Sequence, residues 1–425
     1  MAIKRIKISN FKSFRELELS LDRFSLLIGA NASGKSNFIQ IFRFLRDIAN
    51  HDMDNAISMQ GGCDYLRNIG IGSSMDFSLE ILFDTDFEFA VGSAEKEKRG
   101  IKIKVYEAIY KFSLKFSKKG LGYEITKDEL IQRCRLVRLE RQPVCRATGR
   151  KEETEQIGEG EIILSNVNGK VKPTLKLPEK LSTKEGEIFP LFLKDRSLPP
   201  GLLLFQTPFY LMPPIERIFS DISIYDFDPK LPKKSAPITG KAELEEDGSN
   251  LAIVLKNIIE DEDKKRKFSN FIKYLLPFVS DIDVERFADK SLLFKLQENY
   301  FKDQYLPAFL LSDGTINITA ILIALYFEKN LSTIIIEEPE RNIHPHLISK
   351  VVDMMKDASR NKQIIVTTHN PEIVKYADIE NILLVSRGKE GFSTISKPCE
   401  KEEVKTFLEN EMGIEELFVQ NLLDS

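Results

Sequence analysis

The sequence predicts an α/β fold assembled around a phosphate-binding loop, carrying an antiparallel β subdomain and a mainly helical insertion. Three observations predict it. Phe24–Asn37 reads FSLLIGANASGKSN, a short apolar run followed by the pattern G-x-x-x-x-G-K-[ST]. TIIIEEPE (Thr333–Glu340) and QIIVTTHNPEIV (from Gln363) are further apolar runs that end in ionisable residues, as buried parallel strands opening onto a site would. Between these ends the chain passes from strand-like alternation to helical periodicity.

Composition sets the bounds. The 425 residues carry a formal net charge of −4, with 42% hydrophobic and 30% charged residues, the profile of a soluble globular chain with one large domain or a few smaller ones. No window holds eighteen uninterrupted apolar residues, and MAIKRIKISNF alternates rather than forming a signal-peptide core, so the expectation is cytoplasmic with no membrane span. Cys63, Cys134, Cys145 and Cys399 are scattered without a C-x-x-C, which fits a reducing compartment rather than a zinc or disulfide framework. The charge balance argues neither for nor against nucleic acid.

Taken in order, Ile3, Ile6, Ile8 and Phe11 open two strands that lead into the loop. Phe24–Ile28 feeds it, and FIQIFRFLRDIA follows with Phe38, Ile41, Phe42, Leu45, Ile48 and Ala49 on one helical face. MQGGCDYLRNIGIG (Met59–Gly72) contains Gln60, either an exposed loop residue or a glutamine that senses Mg²⁺ and the attacking water. From Asp76, DFSLEILFDTDFEFA, AIYKFSLKFSKKGLGYEIT and EIILSNVNGKVKPTLKL are β-rich, with KKG and NGK as turn signals. RCRLVRLERQPVCRATGRK carries Arg133, Arg135, Arg138, Arg141, Arg146, Arg150 and Lys151. It reads as a solvated hairpin with locally compensated charge or as a contact to a phosphate backbone or partner, and no aromatics are interleaved for base stacking. Prolines then alternate with apolar runs, and helical spacing at Leu251, Val254, Leu255 and Ile258, then Phe268, Phe271, Ile272 and Leu275, predicts helices. Leu310 to Ser386 is α/β again, and KEEVKTFLENEMGIEELFVQNLL predicts a charged tail helix whose Phe407, Met412, Leu417, Phe418 and Leu422 pack on the head or on a partner. The expected divisions are 1–175 (nucleotide-binding lobe with the β subdomain), 176–300 (insertion) and 301–425 (second lobe with the tail).

The chemistry follows from the residue types. Gly29 and Gly34 let the loop Gly29, Ala30, Asn31, Ala32, Ser33, Gly34, Lys35, Ser36 and Asn37 turn tightly and aim backbone N–H groups inward, and the helix start adds a positive dipole end for phosphate. Lys35 reaches the β- and γ-phosphates, and the Ser36 hydroxyl holds Mg²⁺. Glu337, at the carboxyl end of its strand, is a second Mg²⁺ ligand, while Glu338 accepts a proton from the attacking water or orients it. His369 stands at the end of the following strand, where it can hydrogen-bond the γ-phosphate. The expected catalytic groups are therefore Lys35, Glu338 and His369, and the expected cofactors ATP and Mg²⁺. In LLSDGTINITAILIALYF, Ser312 and the Gly314 N–H sit at a helix N-terminus, a second anion-binding turn suited to a nucleotide held by another copy.

With NFKSF, GANASGKSN, DGSNLA, LSDGT, IIIEEPERNIHP and TTHNPE in place, the chain resembles an ABC-type ATPase head of the RecF/SMC group. Within it, it is similar to standalone prokaryotic ATPases of AAA type, some of which occur in anti-phage systems and in overcoming-lysogenisation-defect nucleases. The resemblance implies Gly29–Ser36 as Walker A, Ser312–Thr315 as the signature turn, Glu337 and Glu338 as Walker B, His369 as the switch histidine and Asn342–His344 as a dimer contact. His344 and His346 could otherwise be read as metal ligands, on spacing alone. It further implies head-to-tail dimers or higher oligomers over ATP·Mg²⁺, with an effector protein or DNA as partner and no membrane. Two departures stand out. LSDGT replaces LSGGQ, putting Asp313 near phosphate unless it points away, and Glu337 stands where Asp is commoner. A nearly inactive ATP-gated scaffold is the alternative reading, and a transporter subunit a more distant one.

Overall fold

A computed structural model describes residues 2–92, 99–117, 122–140, 152–178, 197–199, 201–207, 212–287, 290–301, 304–328, 332–409 and 412–424. They form two compact units, one of Met1–Leu21, Gln40–Ser220 and Lys389–Ser393, the other of Asp22–Ile39, Asp221–Gly388 and Thr394–Ser425. The first two strands, β1 (Ala2–Phe11) and β2 (Phe14–Ser20), pair antiparallel, as the spacing of Ile3, Ile6, Ile8 and Phe11 predicts. At their turn Asn10 holds φ +52°. Its side chain accepts the Asn68 N–H at 3.0 Å and donates to the Gly72 carbonyl at 3.0 Å, so this amide carries the glycine-containing segment. The strand β3 (Phe24–Ile28) is buried at every residue. Helix α1 (Lys35–Asn50) follows and buries Phe38, Ile41, Phe42, Leu45 and Ile48, the face its periodicity marks.

Two short helices, α2 (Met53–Met59) and α3 (Cys63–Leu66), come next. Gln60 between them is buried rather than exposed, and its N–H closes the end of α2 onto the Ala56 carbonyl at 3.2 Å. Strands β4 (Phe77–Gly92), β5 (Arg99–Phe116), β6 (Tyr123–Glu140), β7 (Glu152–Val167) and β8 (Lys170–Lys176) complete a seven-stranded antiparallel sheet in the order β2-β1-β4-β5-β6-β7-β8. The NGK turn between β7 and β8 uses Asn168 at φ +54° and Gly169 at φ +77°, the left-handed pair a two-residue hairpin needs. The KKG signal lies outside the described residues, as do Arg141, Cys145, Arg146, Arg150 and Lys151. Within β6, Arg133 pairs with Glu107 at 2.6 Å and Arg135 with Glu159 at 3.4 Å, so those two charges are compensated across the strands. Phe11, Phe44, Phe77 and Phe112 form the aromatic core of this unit, with ring centroids 5.6–6.4 Å apart. Helix α4 (Ile215–Ser220) adds Phe219, edge-on to Phe205 at 5.1 Å.

The second unit takes up β9 (Ile222–Tyr225), then β10 (Ala236–Pro237), α5 (Leu251–Ile259) and α6 (Glu262–Leu275). The Asn250 side chain, at the head of α5, accepts the Glu245 N–H at 2.8 Å and donates to the Lys241 and Glu243 carbonyls at 3.0 and 2.7 Å, which gives the DGSNLA segment its role in pinning the loop before it. Beyond the helices that the periodicity predicts, the segment also carries β11 (Val279–Phe287) and β12 (Ser291–Glu298), an antiparallel pair whose β12 also pairs with β10 and with β13 (Tyr305–Pro307). Helix α7 (Asp313–Tyr326), β14 (Thr333–Glu337), α8 (Pro345–Ala358), β15 (Gln363–Thr368), α9 (Pro371–Val374), β16 (Ile382–Arg387) and β17 (Ser393–Ser396) follow. They build a six-stranded sheet in the order β17-β16-β3-β15-β14-β9, in which β16, β3, β15, β14 and β9 run parallel.

The expected single tail helix is two, α10 (Glu402–Glu409) and α11 (Ile414–Val419), with Gly413 capping the second; glycine propagates a helix poorly. Leu417 joins the core of this unit, and Phe407, Met412, Phe418 and Leu422 pack against it. Among the described residues no helix is long and apolar enough to cross a membrane.

Candidate active site

The parallel order β3-β15-β14 sets the geometry. Ile28 of β3 stands opposite Thr368 of β15, and Thr367 opposite Glu337 of β14. Gly29, His369 and Glu338 therefore emerge side by side at the carboxyl ends of three neighbouring strands, where open parallel sheets bind ligands.

The loop after β3 turns on residues with positive φ: Gly29 at +157°, Ala32 at +62° and Gly34 at +119°. A Cβ at Gly29 would lie 2.3 Å from the Val385 carbonyl oxygen, so β16 leaves room there for glycine alone. The Lys35 ammonium donates to the carbonyls of Gly29 at 2.6 Å and Ala30 at 3.0 Å. Burial pushes this ammonium down, and the negative charge of Glu338 opposes that shift, so the two groups feel each other. Ser36 is exposed in the first turn of α1, followed by half-buried Asn37.

Glu337 is the last residue of β14 and half-buried. Glu338 follows at φ +46°, a conformation that side chains adopt rarely and that clusters at functional sites. Its N–H extends the ladder onto the Thr367 carbonyl at 2.8 Å. Its Oε1 lies 2.7 Å from His369 Nδ1, and its Oε2 accepts from Arg341 Nη2 at 3.0 Å. Burial pushes this carboxyl up, but the Arg341 hydrogen bond and the His369 and Arg341 charges outweigh it and hold it below the usual range. Arg341 also donates through Nη1 to Asp226 at 3.0 Å. Sequence reading missed Arg341 and Asp226; the one local signal is an arginine three residues after Glu338. Glu340, nearly fully buried, accepts the Thr368 hydroxyl, and burial pushes its carboxyl up.

At the second anion turn, Ser312 caps α7, accepting the Thr315 N–H at 3.1 Å, with the two hydroxyl oxygens 2.8 Å apart. Asp313 lies 2.5 Å from Lys233 Nζ, so the charge that LSDGT introduces is paired, a partner the sequence did not suggest. Gly314 packs against the loop after β14: a Cβ there would be 2.5 Å from the Asn342 carbonyl oxygen. His344 caps α8, and its Nδ1 lies 2.7 Å from that of His346. Among the described residues no three His, Cys, Asp or Glu side chains cluster as a metal site. The Ser36 hydroxyl and Glu337 carboxylate are hard oxygen donors of the kind Mg²⁺ takes together with substrate phosphates and water.

Two family models match successive parts of the chain: "AAA ATPase domain" over residues 1–192 and "AAA domain, putative AbiEii toxin, Type IV TA system" over 190–375. No curated protein matches the sequence. Among solved structures, the chain is similar to an Smc head bound to the C-terminal winged-helix domain of ScpA (16% identity, TM-score 0.48, covering 93% of this chain and 98% of that one). A Pyrococcus furiosus Smc head with an extended coiled coil, bound to the ScpA C-terminal domain, gives 17%, 0.47, 97% and 100%. The SMC head domain from Thermotoga maritima gives 15%, 0.41, 93% and 99%.

Proposed function

Since AAA-type family models match residues 1–192 and 190–375 of this chain, we propose that it is an ATPase of the AAA type that binds ATP with Mg²⁺ and cleaves the β–γ bond. The observation that carries the reading is the side-by-side emergence of the Gly29 loop, His369 and Glu338 from β3, β15 and β14. In this reading the backbone from Gly29 to Asn37 and the Lys35 ammonium bind the phosphates, with Lys35 leaving the Gly29 and Ala30 carbonyls to do so. Ser36 and Glu337 would hold Mg²⁺, which would neutralise charge developing on the transferred group. Glu338 orients or deprotonates the attacking water, and His369, bonded to Glu338, contacts the γ-phosphate. Two copies close over two nucleotides, each supplying its Ser312 turn and Gly314 N–H to the other's γ-phosphate. The cycle moves a partner, an effector protein or DNA in the cytoplasm, in repair or anti-phage defence; the toxin–antitoxin wording of one family model supports a protein partner.

A second reading, an ATP-gated scaffold that turns over very slowly, draws support from Glu338 itself, both of whose carboxylate oxygens are engaged by His369 and Arg341. The test measures nucleotide binding, phosphate release and oligomeric state in the pure protein, with and without DNA. Lys35→Ala should abolish ATP binding, and Glu338→Gln should keep ATP and accumulate dimers while turnover falls at least a hundredfold, the scale expected for loss of a general base. Full turnover in Glu338→Gln would sink the assignment; tight ATP retention with negligible wild-type turnover would favour the scaffold.

A further inference from the structure

Resting on that reading, we propose that Arg341 is a positioning residue that latches Glu338 and restrains basal turnover, with Asp226 and Asn317 seating the latch. A carboxylate that takes a proton from water, or aligns it, must turn a lone pair toward that water. On Glu338 one Oε2 lone pair is taken by Arg341 Nη2 at 3.0 Å and Oε1 faces His369 Nδ1 at 2.7 Å, so each oxygen has one direction occupied and its remaining lone pair constrained in aim. A hydrogen bond between two ionised groups is roughly twice as strong as a neutral one and draws electron density from the base, so Arg341 both occupies Glu338 and weakens it.

Arg341 is itself held at further points. Its N–H donates to the Glu338 carbonyl at 3.0 Å, closing the two residues into one turn with Glu338 at φ +46°. Its own carbonyl accepts Asn317 Nδ2 at 2.6 Å. Its Nη1 reaches Asp226 Oδ1 at 3.0 Å and the Phe227 carbonyl at 3.5 Å. Asp226 makes the latch releasable, because a guanidinium that lets go of Glu338 keeps a carboxylate partner and is never left as an unpaired charge. Asn317 is buried on α7, the helix that Ser312 caps. One rigid, buried helix thus connects the turn expected to meet another copy's phosphate with the residue that holds this copy's base. An anion drawn to the Ser312 turn would act on α7 and, through Asn317, on Arg341.

The test compares kcat and KM for ATP in wild type, Arg341→Met, Arg341→Gln and Arg341→Lys, with ATP affinity and melting temperature measured alongside. Both neutral variants should raise kcat about three- to tenfold, as loss of one half-exposed charged hydrogen bond would, with KM and affinity unchanged. Arg341→Lys should return toward wild type. Folded Met and Gln variants no faster than wild type, including the case where none turns over, would overturn the latch, and a tenfold fall would show that Arg341 aligns the base instead. A second readout needs no nucleotide: the Arg341 Nη–H resonances should be slowly exchanging in wild type and averaged in Glu338→Ala, and unchanged resonances would equally overturn the proposal. Failure of the functional reading is separate, and would show as wild-type protein that does not bind ATP.

Discussion

Replacing Gly314 with alanine separates what this glycine does for packing from what its N–H does for a phosphate. The new Cβ would meet the Asn342 carbonyl oxygen at 2.5 Å, the carbonyl carbon at 3.5 Å and Ile343 Cα at 3.7 Å. All three are main-chain atoms, so no side-chain rotation relieves the clash; either the first turn of α7 or the loop after β14 must move. Overpacking of this kind costs about 1–3 kcal/mol. Alanine returns at most about 1 kcal/mol of helix propensity, and less in a first turn. The net destabilisation is then about 1–2 kcal/mol, or roughly 2–8 °C in Tm for a unit of this size. Thermal unfolding by circular dichroism measures it directly, with Ser312→Ala as the control that removes the cap and adds no atom against Asn342. A melting temperature at or above wild type would refute the reasoning, because it would mean that the loop yields without cost.

Asp128, buried between Tyr110, Asn166 and the Leu204 N–H, has its carboxyl pushed from an ordinary 3.8 up to about 6, chiefly by burial. A raised carboxyl favours the fold when protonated. Its contribution is full below pH 4 and lost as pH climbs through 6, a change of up to about 3 kcal/mol. Asp128→Asn, whose Oδ1 can still accept from Asn166 and the Leu204 N–H while its NH₂ donates to the Tyr110 oxygen, should flatten stability between pH 4 and 8 in urea titrations. A slope equal to wild type would contradict this. Asn250→Ala removes the partner of three part-buried backbone hydrogen bonds and should cost about 1–2 kcal/mol in the same assay, and a loss under 0.5 kcal/mol would argue that water replaces the amide. Lys233→Met should leave Asp313 unpaired beside the second anion turn and weaken ATP-dependent self-association several-fold at low salt, with Asp313→Asn restoring it in the double variant. Equal association in all three would remove the electrostatic account of this departure.

Much of the site was legible because its parts are local. A buried parallel strand is a continuous apolar run, so Phe24–Ile28, Thr333–Glu337 and Gln363–Thr368 each announce themselves, and the residues that follow each run are the ones that meet at the sheet edge. What stayed hidden is non-local. Arg341 meets Asp226 across 115 positions, and Lys233 meets Asp313 from another loop; no spacing rule relates either pair. Gly314 reads in sequence as an anion-binding glycine, and only the Asn342 carbonyl reveals its steric reason. Gln60 read as an exposed loop residue or a Mg²⁺ sensor because no local pattern fixes its geometry; it is buried, with Gly61 and Gly62 after it at φ +92° and +91°. In β11 and β12, strand alternation is broken by charged residues and a bulge near Val279, so the neighbouring helical periodicity dominated the reading.

The place of β3 between β15 and β16 carries a consequence for how the chain is made. Its five residues, four of them apolar, leave the ribosome well before the strands on both sides of it, which begin more than 330 residues later, at Gln363 and Ile382. At usual elongation rates that is roughly 20–70 s during which Phe24–Ile28 has no sheet to join and the glycine loop has no wall behind it. A newly synthesised molecule therefore completes the sheet around β3 only after β15 and β16 have been made. A product truncated before Glu338 would retain the glycine loop yet lack Glu338 and His369, the groups proposed to act on the attacking water and the γ-phosphate.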